Sequence, residues 1–291
     1  MSWLLLALLS AFAIATADTI VKRNLQDYQA YELVLVRFSL TGLLFLPVLA
    51  FLPFPELPPN FWLLIMIMVP CEILGMFLYM KAIRDYPLYL TLPYLAFTPV
   101  IISVMAFLLL GERLSLVGIT GILLVVAGSY VLNFETAGQA GKNRWLEPLY
   151  AAFSQRGAQL MLLVAFLYSI TATLGKAVIS DVPPLFFATF YFVIVGFATL
   201  LLVPLLARIK LRRLLRKPVA TVMVAIFMAV MIISHFLALA EVEAAYMITV
   251  KRTSLLFGLI YGAWLFGERR LGQHLLAGSV MILGVFCIYQ G

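Results

Sequence analysis

The sequence predicts an all-α polytopic membrane protein, with ten transmembrane helices arranged as two inverted five-helix repeats. Three observations carry this. The chain is 64% hydrophobic and 11% charged, against about 25% charged in an ordinary soluble domain, so one soluble core could not absorb its apolar side chains. The apolar residues fall into ten blocks of about 18–23 residues, the length that crosses ~30 Å of hydrocarbon at about 1.5 Å per residue. A short motif also recurs at a fixed offset of 156 residues.

The blocks follow in order. Residues 3–21 start at Trp3 without the basic stretch of a signal peptide and are expected to remain as the first span. Block two, 31–52, ends in a turn holding Pro53, Pro55, Pro58 and Pro59. Blocks three to five cover 61–81, 88–110 and 115–133, the fourth carrying Pro93 and Pro99. The longest polar stretch, Glu135 to Arg156, is rich in Gly, Gln and Lys and reads as a linker. Block six, 158–179, ends at Pro183-Pro184, and block seven covers 185–207. The run Arg208 to Lys217 reads as a solvated, headgroup-facing loop. Blocks eight to ten cover 218–239, 245–266 and 271–289. The expected division is therefore a first repeat over 1–134, a linker over 135–156 and a second repeat over 157–291. No polar stretch is long enough for a soluble domain, so any site must be made by the helices.

Net charge is +7, and its placement argues for a membrane surface, not nucleic acid. Fifteen of the 20 Lys and Arg lie in or beside odd-numbered loops, against one, Arg113, in an even-numbered loop. Positive charge marks the cytoplasmic side, so the odd loops are expected there and both termini outside. The expected location is a bacterial or archaeal cytoplasmic (inner) membrane, crossed many times. Cys71 and Cys287 both sit in apolar blocks and are expected as free buried thiols.

The repeat is explicit in the letters. Leu109-Leu110-Gly111-Glu112-Arg113 recurs as Leu265-Phe266-Gly267-Glu268-Arg269, and at the same offset Gly128 falls on Gly284. Extending the offset sets Leu25 on Asp181 and Tyr31 on Phe187. An odd number of spans per half inverts the second half relative to the first, the layout of secondary transporters. Two five-helix halves, each with a Gly-Glu-Arg turn before its last helix, resemble the EamA family of the drug/metabolite transporter superfamily over essentially the whole chain. The resemblance implies an exporter or exchanger of small metabolites, with a central cavity between the repeats and alternating access. It also implies cytoplasmic termini, the reverse of what the charge count argues; a compartment-specific reporter on the C-terminus distinguishes the two.

Polar residues inside the blocks are the site candidates, because an ionisable group at membrane depth is costly. Glu72 lies near the midplane of the third span and shares a face with Met68, Gly75, Met76 and Tyr79. It reads either as a protonatable carboxylate coupling proton flow to transport or as a structural partner of a cation. Asp18 and Arg37, on antiparallel helices joined by a short turn, are expected to form a buried ion pair. Glu32 is close to a loop and expected to be wet, and Lys176 lies near its helix end and is expected to snorkel outward.

The adjacent cations Lys251-Arg252 lie within the ninth block, each costing about 2.5–3.5 kcal/mol at a helix centre. At the repeat offset they match Leu95-Ala96, in the stretch disturbed by Pro93 and Pro99. Interrupted helices at matching places in both halves point to a substrate site. The candidate binding residues are Lys251, Arg252, Thr253, Glu72, Tyr79, Tyr94 and Tyr246. An Arg fork beside a Lys suits a carboxylate or phosphate. The plastid phosphate translocators, of the same superfamily, are similar in setting an adjacent Lys-Arg against an anionic group, which implies an anionic or phosphorylated substrate. The rival reading is that the pair only neutralises Glu72.

Other features read as structural. Gly258 and Gly262 suit close helix packing, His235 suits a satisfied buried ring, and Trp3, Trp62 and Trp145 suit interfacial anchors. No metal-ligand cluster, nucleophile with a base or phosphate-cradling Gly-rich motif is present in the sequence. The expectation is therefore no enzyme, no cofactor, no metal and no nucleic acid. The partners left open are a small-molecule or lipid substrate, protons or a counter-substrate, and the bilayer; a flippase of an anionic lipid is the alternative function. Ten spans suffice for a pathway, which leaves oligomeric state open.

Overall fold

The computed structural model describes residues 2–86, 91, 94–134, 155–207, 214, 216–266 and 271–290. The linker over 135–154, Trp145, Pro93, most of the basic run after residue 207 and the second Gly-Glu-Arg turn lie outside the described residues. The described residues are all-helical: α1 Trp3–Asn24, α2 Ala30–Ala50, α3 Phe61–Asp85, α4 Thr98–Leu110, α5 Leu116–Phe134, α6 Arg156–Ile179, α7 Pro184–Ala207, α8 Pro218–Glu241, α9 Ala244–Lys251, α10 Ser254–Phe266 and α11 Leu271–Gln290. Six of them (α1, α2, α3, α6, α7 and α8) are individually long and apolar enough to cross a membrane, and the shorter ones are also apolar. They trace ten spans, the ninth being α9 and α10 on either side of a break. Leucines such as Leu116 and Leu206 are each 83% exposed, which suits a hydrocarbon surround.

The two halves interlock. α1 packs on α8 as α6 packs on α3, and α2 packs on α8 as α7 packs on α3. α2 lies along α7, and α5 lies along α11. Each pairing maps onto itself or its counterpart when the halves are exchanged, which is the two-fold pattern of an inverted repeat. Small residues allow these approaches. A Cβ on Gly42 would lie 3.2 Å from the Cα of Gly196, and a Cβ on Gly121 would lie 2.5 Å from the carbonyl oxygen of Gly284.

Helix breaks occur at equivalent places. In span nine, Arg252 and Thr253 leave the regular helix, and in span four the equivalent Ala96 and Phe97 do so. Neither break abandons its backbone bonds. Arg252 N–H donates to Thr249 O at 3.0 Å, Thr253 N–H to Val250 O at 3.0 Å, and Phe97 N–H to Tyr94 O at 3.2 Å, a three-residue tightening of the turn. The local causes differ. Pro99 has no N–H to offer the Leu95 carbonyl, and the Thr98 hydroxyl donates there instead. Span nine has no proline at its break; the Thr253 hydroxyl donates back to Val250 O at 2.8 Å, a contact of the kind that bends helices.

One local expectation is corrected. Glu32 is fully buried, not wet; its carboxylate accepts the Gln29 N–H at 2.7 Å and caps α2.

Candidate functional site

A cavity of about 860 Å³ lies between the halves. Its mouth reaches Lys22, Gln26 and Arg84, at the odd-loop ends of α1 and α3. At the same end Lys217 bonds Asp27 at 2.6 Å and holds its carboxyl below the usual range. The other end is closed. Phe187 stacks edge-on against Phe236 at 5.2 Å and Phe61 against Phe187 at 6.3 Å. Lys176 donates to Leu239 O at 2.7 Å and Val242 O at 2.8 Å, so it caps the end of α8 instead of snorkelling outward. Gly111, at φ 70°, ends α4 in the left-handed conformation glycine tolerates. That turn delivers Glu112, from the first half, to the start of α9 in the second, where its carboxylate accepts the Ala244 N–H at 3.0 Å. Burial of Glu112 raises its carboxyl above the ordinary value, against the hydrogen bond from Ala244.

The charged groups gather at the break in span nine. Lys251 Nζ lies 3.2 Å from His235 Nδ1 and 3.2 Å from Met231 Sδ, both on α8. α8 is itself held in place by the Ser10 hydroxyl donating to Met231 O at 3.1 Å. Arg252 also lines the cavity, and its Nε is buried without a partner. Neither cation forms an ion pair among the described residues. Across the cavity the buried Arg37 guanidinium pairs with Asp18, and the Tyr79 hydroxyl donates to Asp18 Oδ2 at 3.4 Å. Glu72 lines the same space near Thr171 of α6, with Lys251 close enough to act on it electrostatically.

This geometry can be set beside known proteins. The model of the EamA-like transporter family matches residues 1–134 and 155–290. The chain belongs to the EamA-like transporter family. It is thus a membrane transporter of the drug/metabolite type, and nothing in the family points to catalysis. No curated protein matches it. Among the solved structures that match, one crystal structure of a protein covers 98% of this chain and 94% of its own, with a TM-score of 0.73 and 14% sequence identity. At that identity the likeness speaks for the fold alone.

Within this EamA-like fold, the candidate residues separate into two groups. Lys251, Arg252, Glu72, Tyr79, Asp18 and Arg37 all line the cavity. Thr253, Tyr94 and Tyr246 do not. Thr253 is 5% exposed and spends its hydroxyl on Val250. Tyr94 packs among Ala82, Ala158 and Met161. Tyr246 points to the closed end, where its oxygen accepts the Ser115 N–H at 2.9 Å. Gly118 makes room for it, since a Cβ there would lie 1.9 Å from that oxygen.

Sequence reading missed Tyr168, Tyr191 and Thr171, which also line the cavity; His235 is buried and partnered, as expected, and its partner is Lys251. The spacing of His235 four residues after Met231 was the available signal, but nothing in the sequence said which face of α8 turns inward. Gly258 does not pack a neighbouring helix: a Cβ there would meet nothing within 4 Å, because the glycine borders the cavity.

Proposed function

We infer that the chain is a secondary transporter that carries a small anionic or phosphorylated metabolite by alternating access, in a cytoplasmic membrane. The observation that carries this reading is the state of Lys251 and Arg252. Two cations in one cavity have only neutral protein partners, and the nearest carboxylates are not in ion-pairing contact. A charge at that depth without a counter-charge is costly, and a carboxylate or phosphate completes the site. Arg252 offers a fork and Lys251 a point charge beside it. Glu72, facing them across the cavity, is the proton-binding candidate. The rival reading, in which the cations serve to neutralise Glu72, loses support from the lack of a direct pair.

A thermal-shift screen of the purified protein against carboxylates, phosphorylated compounds, organic cations and anionic lipids tests this. Anions should raise the melting temperature. Stabilisation by cations alone would sink the proposal, and stabilisation by anionic lipids alone would favour the flippase alternative.

Alternating access requires the closed end to open. The bonds that hold it join the halves: Glu112 to α9, and Tyr246 to the loop before α5. Losing a helix cap costs about 1 kcal/mol, and a buried hydrogen bond costs a similar amount. Glu112→Ala with Tyr246→Phe should therefore increase exposure of the cavity to the even-loop side by roughly 10-fold or more. An impermeant maleimide applied from that side to an Ala172→Cys protein reads this, since Ala172 lines the cavity. Unchanged labelling would show that these bonds do not hold the gate.

A further inference from the structure

The contact between Lys251 and His235 has a chemical consequence that anion binding does not require. An ammonium can only donate, so when Lys251 is charged the His235 Nδ1, 3.2 Å away, must accept, and the ring proton sits on Nε2. Protonating both groups would put two N–H donors face to face at that distance. His235 is 9% exposed, so little water is present to separate them. The pair thus holds one transferable proton beyond the neutral state, either on Nζ or on the ring. The second partner of Nζ, the Met231 thioether, is too weak an acceptor to change this.

We propose that Lys251 and His235 form a single proton-binding site, and that its proton travels with the anion. The inference rests on the anionic reading of the cavity. With the proton present, the dyad carries one positive charge and, with Arg252, holds the anion. When the proton leaves to water through the open mouth, Lys251 becomes a neutral amine hydrogen-bonded to a neutral ring, and the attraction falls to that of Arg252 alone. No bond other than N–H is made or broken. Loading of anion and proton is thereby linked, and so is their release.

The groups facing the dyad fit this. From α3, Glu72 acts on Lys251, as does Asp18 from α1, although Asp18 is already paired with Arg37 of α2. Arg252, the next residue, opposes the charge on Lys251. The other titratable groups lining the cavity are the phenols Tyr79, Tyr168 and Tyr191, from α3, α6 and α7, and Lys22, Tyr28 and Arg84. Of the other cations lining the cavity, Arg37 is neutralised by Asp18 and Lys22 and Arg84 lie at the mouth, so once the dyad has lost its proton Arg252 is the cation left beside it.

The chain has two histidines, so ring-¹⁵N-labelled protein gives two imidazole signals, assigned with a His274→Gln variant. In wild-type protein the His235 ring should report the Nε2–H tautomer and titrate jointly with Lys251. In Lys251→Met it should titrate alone, with its midpoint displaced by about 1 pH unit or more and both tautomers populated. Lys251→Arg, which keeps a cation that does not titrate, should also give single-group titration and guards against misfolding of the Met variant. Identical His235 titration in wild type and both variants overturns the shared proton. Sodium sulfate, which carries no proton of its own near neutrality, probes the link: it should displace the wild-type His235 midpoint and leave that of Lys251→Met unmoved. A joint titration that sulfate leaves unmoved overturns the link to the anion. Loss of the anion reading itself shows separately, in the thermal-shift screen.

Discussion

Changing Lys251 and Arg252 together to glutamine should abolish stabilisation by anions while leaving the empty protein at or above its native melting temperature. The two effects have one cause. A charge-assisted hydrogen bond contributes about 1.5–3 kcal/mol, so losing two of them weakens an anion by roughly 100-fold or more. In the unliganded protein the same two cations are half-buried at the cavity without carboxylate partners among the described residues, and removing such a charge relieves its desolvation. Structural cations would behave in the opposite way. If the pair serves to neutralise Glu72, the double variant should melt well below wild type, because Glu72 would then be the unpaired charge. A thermal melt of wild type and variant, with and without the anions found in the screen, separates these outcomes.

The second large effect lies far from the cavity. Gly121→Ala and Gly284→Ala should each destabilise the protein by about 1–3 kcal/mol, the usual cost of overpacking, and lower the melting temperature on the order of 2–10 °C. The reason is what the new methyl groups would meet. At Gly121 a Cβ falls 2.5 Å from Gly284 O and 2.9 Å from Ile288 N; at Gly284 it falls 2.6 Å from Gly121 O and 2.9 Å from Val125 N. Backbone atoms cannot swing aside as a side chain can, so α5 and α11 must separate. Because the two sites touch, the double variant should cost less than the sum of the single ones. Gly258→Ala is the control: its Cβ meets nothing within 4 Å, and its melting temperature should stay at the wild-type value. A Gly121→Ala protein as stable as wild type would mean that the two helices do not pack this closely in the membrane.

Much of the architecture was legible because it rests on length and repetition. Apolar blocks of spanning length gave the helices, and the offset that carries Glu112 onto Glu268 also carries the break at Ala96 onto the break at Arg252. The details of the site were less legible. In a soluble helix the polar face tells which side is outside, but here both lipid and core are apolar, so that signal is lost. Tyr168, Tyr191 and Thr171 therefore looked like any other residues of their blocks, and Tyr246 was one of several rings that could line a cavity or simply pack. Its direction was decided by Gly118, on a helix more than a hundred residues away in sequence. Lys176 and Glu32 were misjudged for a related reason: each sits near a helix end, but a carbonyl or an N–H of the protein reaches it before water does.

The interlocking of the halves bears on how the protein is made. α1 finds α8, α2 finds α7, α3 finds α6 and α5 finds α11, so the main neighbour of each of these spans is in the other half. When the first half has been inserted, Arg37 already has Asp18 within it, but the faces that α1, α2, α3 and α5 turn to the other half still lack their neighbours. Glu112 waits for an N–H 132 positions further along. Insertion can proceed helix by helix, but the close packing between the halves has to wait for the second half.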